Sequence, residues 1–346
     1  MPERPRSERV TQDRLAAHIT TPEDKGGLGY RNLGDWSGRP NNRCVEPDLL
    51  RANLSARGYS DNEINAALTR LMQAIEVTGT TLYQANLRTY TLLRYGVDVQ
   101  TSVATPHKTV HLIDWDNPAA NDFALAEEVT LKGGHERRPD LVIYLNGLAV
   151  AVIELKRSSV EIGDGIRQLI SNQNEIFNAP FFATAQLLLA GSDAQGLRYG
   201  TVGTPETLFV EWRDEEPPTG DLVAGALLDR PVAQMLRKDR LLDLIRNFVI
   251  FDAGIKKVPR ATPVRRREAG AGAAGQARGR RHLAHPGVRQ EHPDGAAGQM
   301  DPRTRAGCTR ADHHRPRRTR QADRGRDAQC GRGRGRCAIA PGDAPR

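Results

Sequence analysis

Two apolar runs, Leu141 to Leu145 and Leu148 to Leu155, flank the dipeptide Asn146-Gly147. Asn-Gly tolerates the positive φ values of a two-residue turn better than other pairs, so this stretch predicts a β-hairpin. Apolar residues on both faces of both strands predict a place inside a sheet. The exceptions are polar and sit at the open end: Asp140 at the start of the first strand, Glu154 and Lys156 at the end of the second. Side chains alternate along a strand, so Glu154 and Lys156 share one face while Leu155 takes the other. Folding at Asn146-Gly147 is expected to bring Asp140 level with Glu154, so that two carboxylates and an ammonium converge.

Paired carboxylates suit a hard cation such as Mg²⁺, which keeps waters and open positions for a phosphate. The metal polarises a phosphoryl oxygen and acidifies a bound water. Lys156 would orient or deprotonate the attacking water, or balance developing charge. Asp140 and Glu154 are therefore the candidate metal ligands and Lys156 the candidate base, for phosphodiester hydrolysis. An isolated Glu-x-Lys is more simply a salt-bridged pair on a solvated face. Here the flanking apolar runs bury the groups, and buried charges need a partner.

Pro139-Asp140 followed by Glu154-x-Lys156 after a hairpin resembles the PD-(D/E)xK nuclease motif, and the wider chain resembles the amino-terminal nuclease domain of the restriction (R) subunits of type I restriction-modification enzymes. The resemblance extends from Leu33-Gly-Asp-Trp-Ser-Gly-Arg-Pro-Asn-Asn42, through Leu92-Leu-Arg-Tyr-Gly96, Leu112-Ile-Asp-Trp115 and Gly165-Ile-Arg-Gln-Leu-Ile-Ser-Asn-Gln173, to Gly196-Leu-Arg-Tyr-Gly200 and Phe251-Asp-Ala-Gly-Ile-Lys-Lys257. It implies an α/β restriction-endonuclease-like core with a mixed central sheet and a helical N-terminal embellishment. It also implies a type I site-specific deoxyribonuclease that uses Mg²⁺ and, in the intact subunit, ATP for translocation. Its partners would be DNA and the methylation and specificity subunits. In many relatives a Gln on the helix after the Lys, with a Tyr four residues later, supports the active site or touches DNA; Gln168 matches the first and is a further candidate site residue, against the plainer reading of a helix-face amide, but position 172 is Asn. Lys132, Arg137 and Arg167 are candidate phosphate contacts, although any one such residue is more often a solvated charge. A resolvase or repair nuclease on the same core fits less well, because the blocks outside the triad are collinear with the R subunits.

Charge divides the chain. The total is +8, but residues 261–346 hold 20 Arg, no Lys and 8 acidic residues, while residues 1–260 hold 30 basic and 34 acidic ones. The basicity that suggests nucleic-acid binding therefore belongs to the tail. From about Ala261 the chain lacks Phe, Trp, Tyr and Lys, and Arg, Gly, Ala and Pro dominate. Such a segment is expected to be disordered. It reads either as an arginine-rich nucleic-acid tail or as an out-of-frame translation of a GC-rich gene. In the shifted frame, His285 to His292 permits Thr-Gln-Gly-Ser-Gly-Lys-Ser, which resembles a phosphate-cradling loop, and Asp312 to Ala322 permits a sequence resembling the adjoining helicase motif. As written the chain has no intact loop of this kind, so no ATP site is expected. Cys308, His313, His314, Cys330 and Cys337 lack the paired spacing of a zinc site.

The expected organisation is a flexible leader and loop over 1–43, the nuclease domain over 44–258 and the basic tail over 259–346. Within the leader, residues 1–9 read as disordered and a short helix is predicted to begin over Thr11 to His18; further helices are predicted for Glu46 to Ala56, for Ser60 to Thr78 with a capping-box start, and for Leu82 to Leu93. Strands are predicted for Val97 to Val103, Thr109 to Asp114 and Asp122 to Lys132, ahead of the hairpin. A helix over Ser159 to Phe177, strands over Gln186 to Gly191, Leu197 to Thr201 and Thr207 to Trp212, an acidic loop over Asp214 to Gly220, and a last helix over Leu241 to Phe251 follow. Cys44 is the one cysteine before the tail, and no long apolar run appears. A cytoplasmic location away from membranes is the expectation. A catalytically silent remnant that only binds DNA or partner subunits is the competing functional reading.

Overall fold

The computed structural model describes residues 8–101, 106–174, 178–213 and 227–259. The expected leader at 1–7, the acidic loop at 214–220, Phe177 and the tail beyond 259 lie outside the described residues. The fold is α/β. A seven-stranded mixed sheet runs in the order β1-β4-β7-β8-β9-β10-β11, where β1 is Arg31–Asp35, β4 Phe123–Glu127, β7 Leu141–Leu145, β8 Leu148–Lys156, β9 Leu187–Ser192, β10 Gly196–Gly200 and β11 Val210–Glu211. The β1–β4 and β8–β9 pairs are parallel and the others antiparallel. Three two-stranded ribbons accompany it: β2 (Val97–Val99) with β3 (Lys108–Val110), β5 (Leu131–Lys132) with β6 (Glu136–Arg137), and β12 (Ile250–Asp252) with β13 (Ile255–Lys257).

The central hairpin forms as its sequence predicts. Asn146 and Gly147 adopt φ of 53° and 81°, the paired left-handed conformation of a tight turn. This turn is buried, and the Asn146 side chain is hydrogen-bonded at both ends. Asn146 Nδ2 donates to Leu112 O and Asn121 Oδ1 at 2.9 Å each, and Asn146 Oδ1 accepts from Asp122 N at 2.7 Å. Gly147 O accepts from Glu46 N at 2.8 Å.

A two-residue turn alone would not build the triad. Next to it, Leu145 pairs with Leu148 and Tyr144 with Ala149; continued without interruption, that register sets Asp140 opposite Ile153 and on the face away from Glu154. A β-bulge at Val150 adds one residue to β8, so Ile143 pairs with Ala151 and Leu141 with Ile153. Asp140 then comes level with Glu154. The carbonyl of Val150 accepts from Gln186 N at 2.8 Å, which satisfies the backbone at the interruption.

The helices before the hairpin match their periodicity: α2 is Pro47–Ala56, α3 Asp61–Ile75 and α4 Leu82–Tyr95. Ser60 and Glu63 form the expected capping box, Thr81 and Gln84 form a second, and α4 stops at Gly96, whose φ is 88°.

Several expectations need correction. The leader over 1–43 is structured from Glu8 onward: α1, Glu8–Thr20, contains the short helix expected from Thr11 to His18 and begins three residues earlier, and β1 lies in the stretch read as loop. β1 is a short edge strand containing Gly34, and it pairs through β4's backbone without an alternating pattern of its own. The single strand expected over 122–132 breaks at Glu128, whose φ is 51°, dividing β4 from β5. The helix after β8, α5, is Ile162–Asn172, shorter than expected. Helix α6, Asp229–Leu236, is not among the expected elements; its Pro231 falls in the first turn, where a missing N–H costs nothing. The last expected helix is two pieces, α7 at Lys238–Asp243 and a π-turn at Leu244–Phe248, followed by β12.

α1 is clamped to the sheet. Arg14 forks between Asp193 (2.5 Å) and Asp229 (2.8 Å), and Thr11 Oγ1 donates to Asp193 Oδ2 at 2.9 Å. Leu15 and Ile19 on the same face are fully buried. At the other end of the chain, buried Lys256 donates to Ala185 O and Gln186 Oε1 at 2.9 and 2.8 Å, and burial pushes its amine well below the usual lysine range. Among the described residues no helix is long and apolar enough to cross a membrane.

At Gly147 an added Cβ would lie 2.8 Å from Glu46 O and 2.9 Å from Leu50 N, and φ is positive. Gly147→Ala is expected to destabilise the protein by about 2 kcal/mol or more. The signature is a lower urea midpoint at unchanged slope; an unchanged midpoint would contradict this account of the turn.

Candidate active site

β7 and β8 deliver the three predicted residues to one place. Asp140 is pinned by its own hairpin: Oδ2 accepts from Leu155 N at 2.6 Å. Glu154 is fully buried, with Oε1 3.5 Å from Asn172 Nδ2 and Oε2 3.9 Å from Lys156 Nζ. Oε2 has no hydrogen-bond partner, and neither has Asn172 Oδ1. Lys156 Nζ also lies 3.6 Å from Glu8 Oε1 on α1. Helix α5 closes over this face at Gly165, where a Cβ would meet Lys156 Cγ at 3.3 Å and Ala190 Cβ at 3.5 Å. A larger residue at 165 would press on the lysine stem and the sheet beneath it.

The electrostatics follow from exclusion of water. Burial pushes Asp140 up to about 6, against the Leu155 N–H and the Lys156 ammonium, with Glu8 and Glu128 adding to the rise. Burial also raises Glu154 well above the usual carboxylate range; Asp140 and Glu8 add to this, and Lys156 opposes it. Two carboxyls in such a place do not both ionise without a compensating cation. The donor set suits a hard divalent ion: two carboxylates, one of them with a buried oxygen lacking any donor. Among the described residues no group of three or more His, Cys, Asp and Glu is gathered closely enough to hold a metal by itself, so the protein would supply the Asp140–Glu154 pair and water the remainder.

The other predicted residues are placed less uniformly. Gln168 is half-buried on α5, and its carbonyl accepts from Ser171 Oγ; its side chain makes no hydrogen bond to a described residue. Asn172, one turn further along, is the α5 residue that reaches Glu154. Lys132 and Arg137 lie on the β5–β6 ribbon, Lys132 exposed at the rim of a cleft shared with Arg43, Met72 and Phe181. Arg167 is exposed and committed to Asp164 (2.6 Å) and Glu206 (2.5 Å), on the side of α5 away from Asn172.

Two residues near the site were not anticipated. Glu8 fell in a stretch expected to be disordered, and Gln12, one turn on, is buried with Nε2 3.3 Å from Glu127 Oε2 and 3.5 Å from Asp140 O. Glu8, Thr11, Gln12, Leu15 and Ile19 follow helical spacing, but three of the five are polar, so hydrophobic periodicity neither extends the helix expected from Thr11 back to Glu8 nor marks its polar residues as the inward face.

Because the folded-state pKa values of Asp140 and Glu154 are raised, the metal-free native protein binds more protons than the unfolded chain above about pH 4. Stability is therefore fully present below that pH and lost as pH rises through about 6, the value for Asp140. In EDTA, the melting temperature of the wild type should fall relative to Asp140→Asn between pH 4.5 and 7. Parallel curves for the two proteins would contradict the assignment.

The description of the type I restriction enzyme R protein N terminus matches residues 22–207, a segment that includes Asp140, Glu154, Lys156 and Gln168. The HindI endonuclease subunit of a type I restriction enzyme from Haemophilus influenzae is 30% identical over 172 residues, covering 47% of this chain and 16% of that protein. The EcoprrI endonuclease subunit from Escherichia coli is 23% identical over 148 residues, covering 42% of this chain and 47% of that protein. The MjaVIIIP protein from Methanocaldococcus jannaschii is 24% identical over 251 residues, covering 68% of this chain and 23% of that protein. The chain thus spans less than half the length of each of these relatives. With the match extending over more than half of its own residues, the chain belongs to the family of type I restriction enzyme R protein N-terminal regions.

Proposed function

We propose that this chain carries the DNA-cutting site of a type I restriction R subunit and hydrolyses phosphodiester bonds with Mg²⁺. The observation that carries the reading is the buried Glu154 carboxylate, one oxygen of which has no donor, facing Asp140 and the Lys156 ammonium. Asp140 and Glu154 would hold the ion, which when bound polarises a phosphoryl oxygen and acidifies a coordinated water. Lys156, as an ammonium, donates; it orients the attacking water or balances charge on the phosphate, and it accepts a proton only after losing one. Asn172 steadies Glu154 by donating from Nδ2 to Oε1. Gln168 is left as a candidate for contact with substrate at the rim. Lys132 and Arg137 are candidate phosphate contacts, and Arg167 joins them only by giving up its two carboxylates.

Nicking of supercoiled plasmid tests the reading. With Mg²⁺ the wild type should nick, and Asp140→Ala and Lys156→Ala should each be slower by about a hundredfold or more. Equal residual activity in all three would leave the chain a silent remnant that binds DNA or partner subunits.

The intact subunit would act with methylation and specificity subunits, in the cytoplasm, and would use ATP to translocate DNA. The residues beyond about 260 carry no intact phosphate-binding loop, so this chain should cut without ATP and without translocation. Residues after roughly 260 are, on this proposal, the motor's coding sequence read out of frame. Sequencing the gene across codons 255–265 checks it: shifting one base should restore Thr-Gln-Gly-Ser-Gly-Lys-Ser near residues 285–292, and failure to do so overturns the frameshift.

A further inference from the structure

Glu8 lies before residues 22–207, which match the family's description, and it is the second carboxylate on the lysine of the triad. Lys156 Nζ sits between Glu8 Oε1 at 3.6 Å and Glu154 Oε2 at 3.9 Å. The two carboxylates differ in what they are for. Glu154 is fully buried and shares its place with Asp140, whereas the Glu8 side chain is 40% exposed and carries a negative charge that needs no second partner. A divalent ion held by Asp140 and Glu154 would repel the ammonium beside it. Lys156 would then swing out of the site unless another anion kept it there. Glu8 is placed to do this, and its own position is secured by the face of α1 below it. Gln12 is bonded to Glu127 and the Asp140 carbonyl, Thr11 is bonded to Asp193, and Arg14 is locked between Asp193 and Asp229.

We infer that Glu8 is a positioning residue for the nuclease reaction, retaining the Lys156 ammonium beside the reacting phosphate once the Asp140–Glu154 pair is neutralised by metal. This rests on the nuclease reading above. It assigns α1 a part in the chemistry as well as in the packing: the helix carries the counter-charge, and the sheet carries the ligands.

The test uses the full chain, with Mn²⁺ as the binding probe followed by electron paramagnetic resonance, and plasmid nicking at saturating Mg²⁺ as the rate. Glu8→Gln should lower the nicking rate about ten- to a hundredfold, as a misplaced catalytic group does, while Mn²⁺ affinity stays within about threefold of wild type, because Glu8 is not a ligand. Glu8→Asp, which keeps the charge on a shorter stem, should recover part of the rate. In a Lys156→Ala background, Glu8→Gln should lower the residual rate no further, since it acts through that lysine. Three outcomes overturn the inference alone: a Glu8→Gln rate equal to wild type, a loss of Mn²⁺ affinity as large as Asp140→Asn produces, or an equal further loss without Lys156. A wild type that does not nick with Mg²⁺ or Mn²⁺ overturns the nuclease reading and this inference with it.

Discussion

The site depends on one extra residue. Val150 lengthens β8 by a single position relative to β7, and the parity of a β-ladder turns that insertion into a change of face. On the turn side of the bulge the pairing follows from Asn146-Gly147; on the far side it is offset by one, and the offset is what sets Asp140 beside Glu154. The interruption is held by the neighbouring strand, since Val150 O accepts from Gln186 N while β8 and β9 keep an unbroken parallel register from Ala151 to Lys156. The rigid side of β8 therefore faces β9, and the adjustment is confined to the hairpin.

Burial then gives the three polar groups their character. In water, two carboxylates and an ammonium at this spacing would each keep its ordinary charge. With Glu154 fully enclosed and Asp140 nearly so, the native state prefers a proton or a cation on the pair, and the apolar strands that enclose them supply that preference. The same exclusion of water explains why Asn172 is buried beside Glu154 with one amide oxygen unpartnered. A sheet interior with these polar atoms left unmet is costly unless something else occupies the pocket.

Much of this was legible in the residues. The hairpin was, because Asn-Gly between apolar runs has few other uses; the capped helices were, because Ser60-x-x-Glu63 and the spacing of Ile64, Leu68, Leu71 and Ile75 agree. The bulge was not, since Val150 stands in a uniform run of Val, Ala and Ile and nothing local marks it. Counting from the turn alone would have put Asp140 on the wrong face, so the expected meeting of Asp140 and Glu154 came true through a feature the expectation did not contain. Glu8 was missed because the stripe it begins is polar, and β1 because an edge strand can borrow its order from a neighbour. On α5 the motif points to Gln168, but Asn172 makes the contact to Glu154, since it shares with Gly165 the face turned to the sheet.

The fork of Arg14 joins residues far apart along the chain. One guanidinium binds Asp193 at the β9–β10 connection and Asp229 at the start of α6, so α1 and α6 close on the same ion cluster. The stretch that matches the family's description, residues 22–207, begins after Arg14 and ends short of Asp229. A fragment cut to residues 22–207 would keep Asp193 inside the protein and discard the cation that neutralises it.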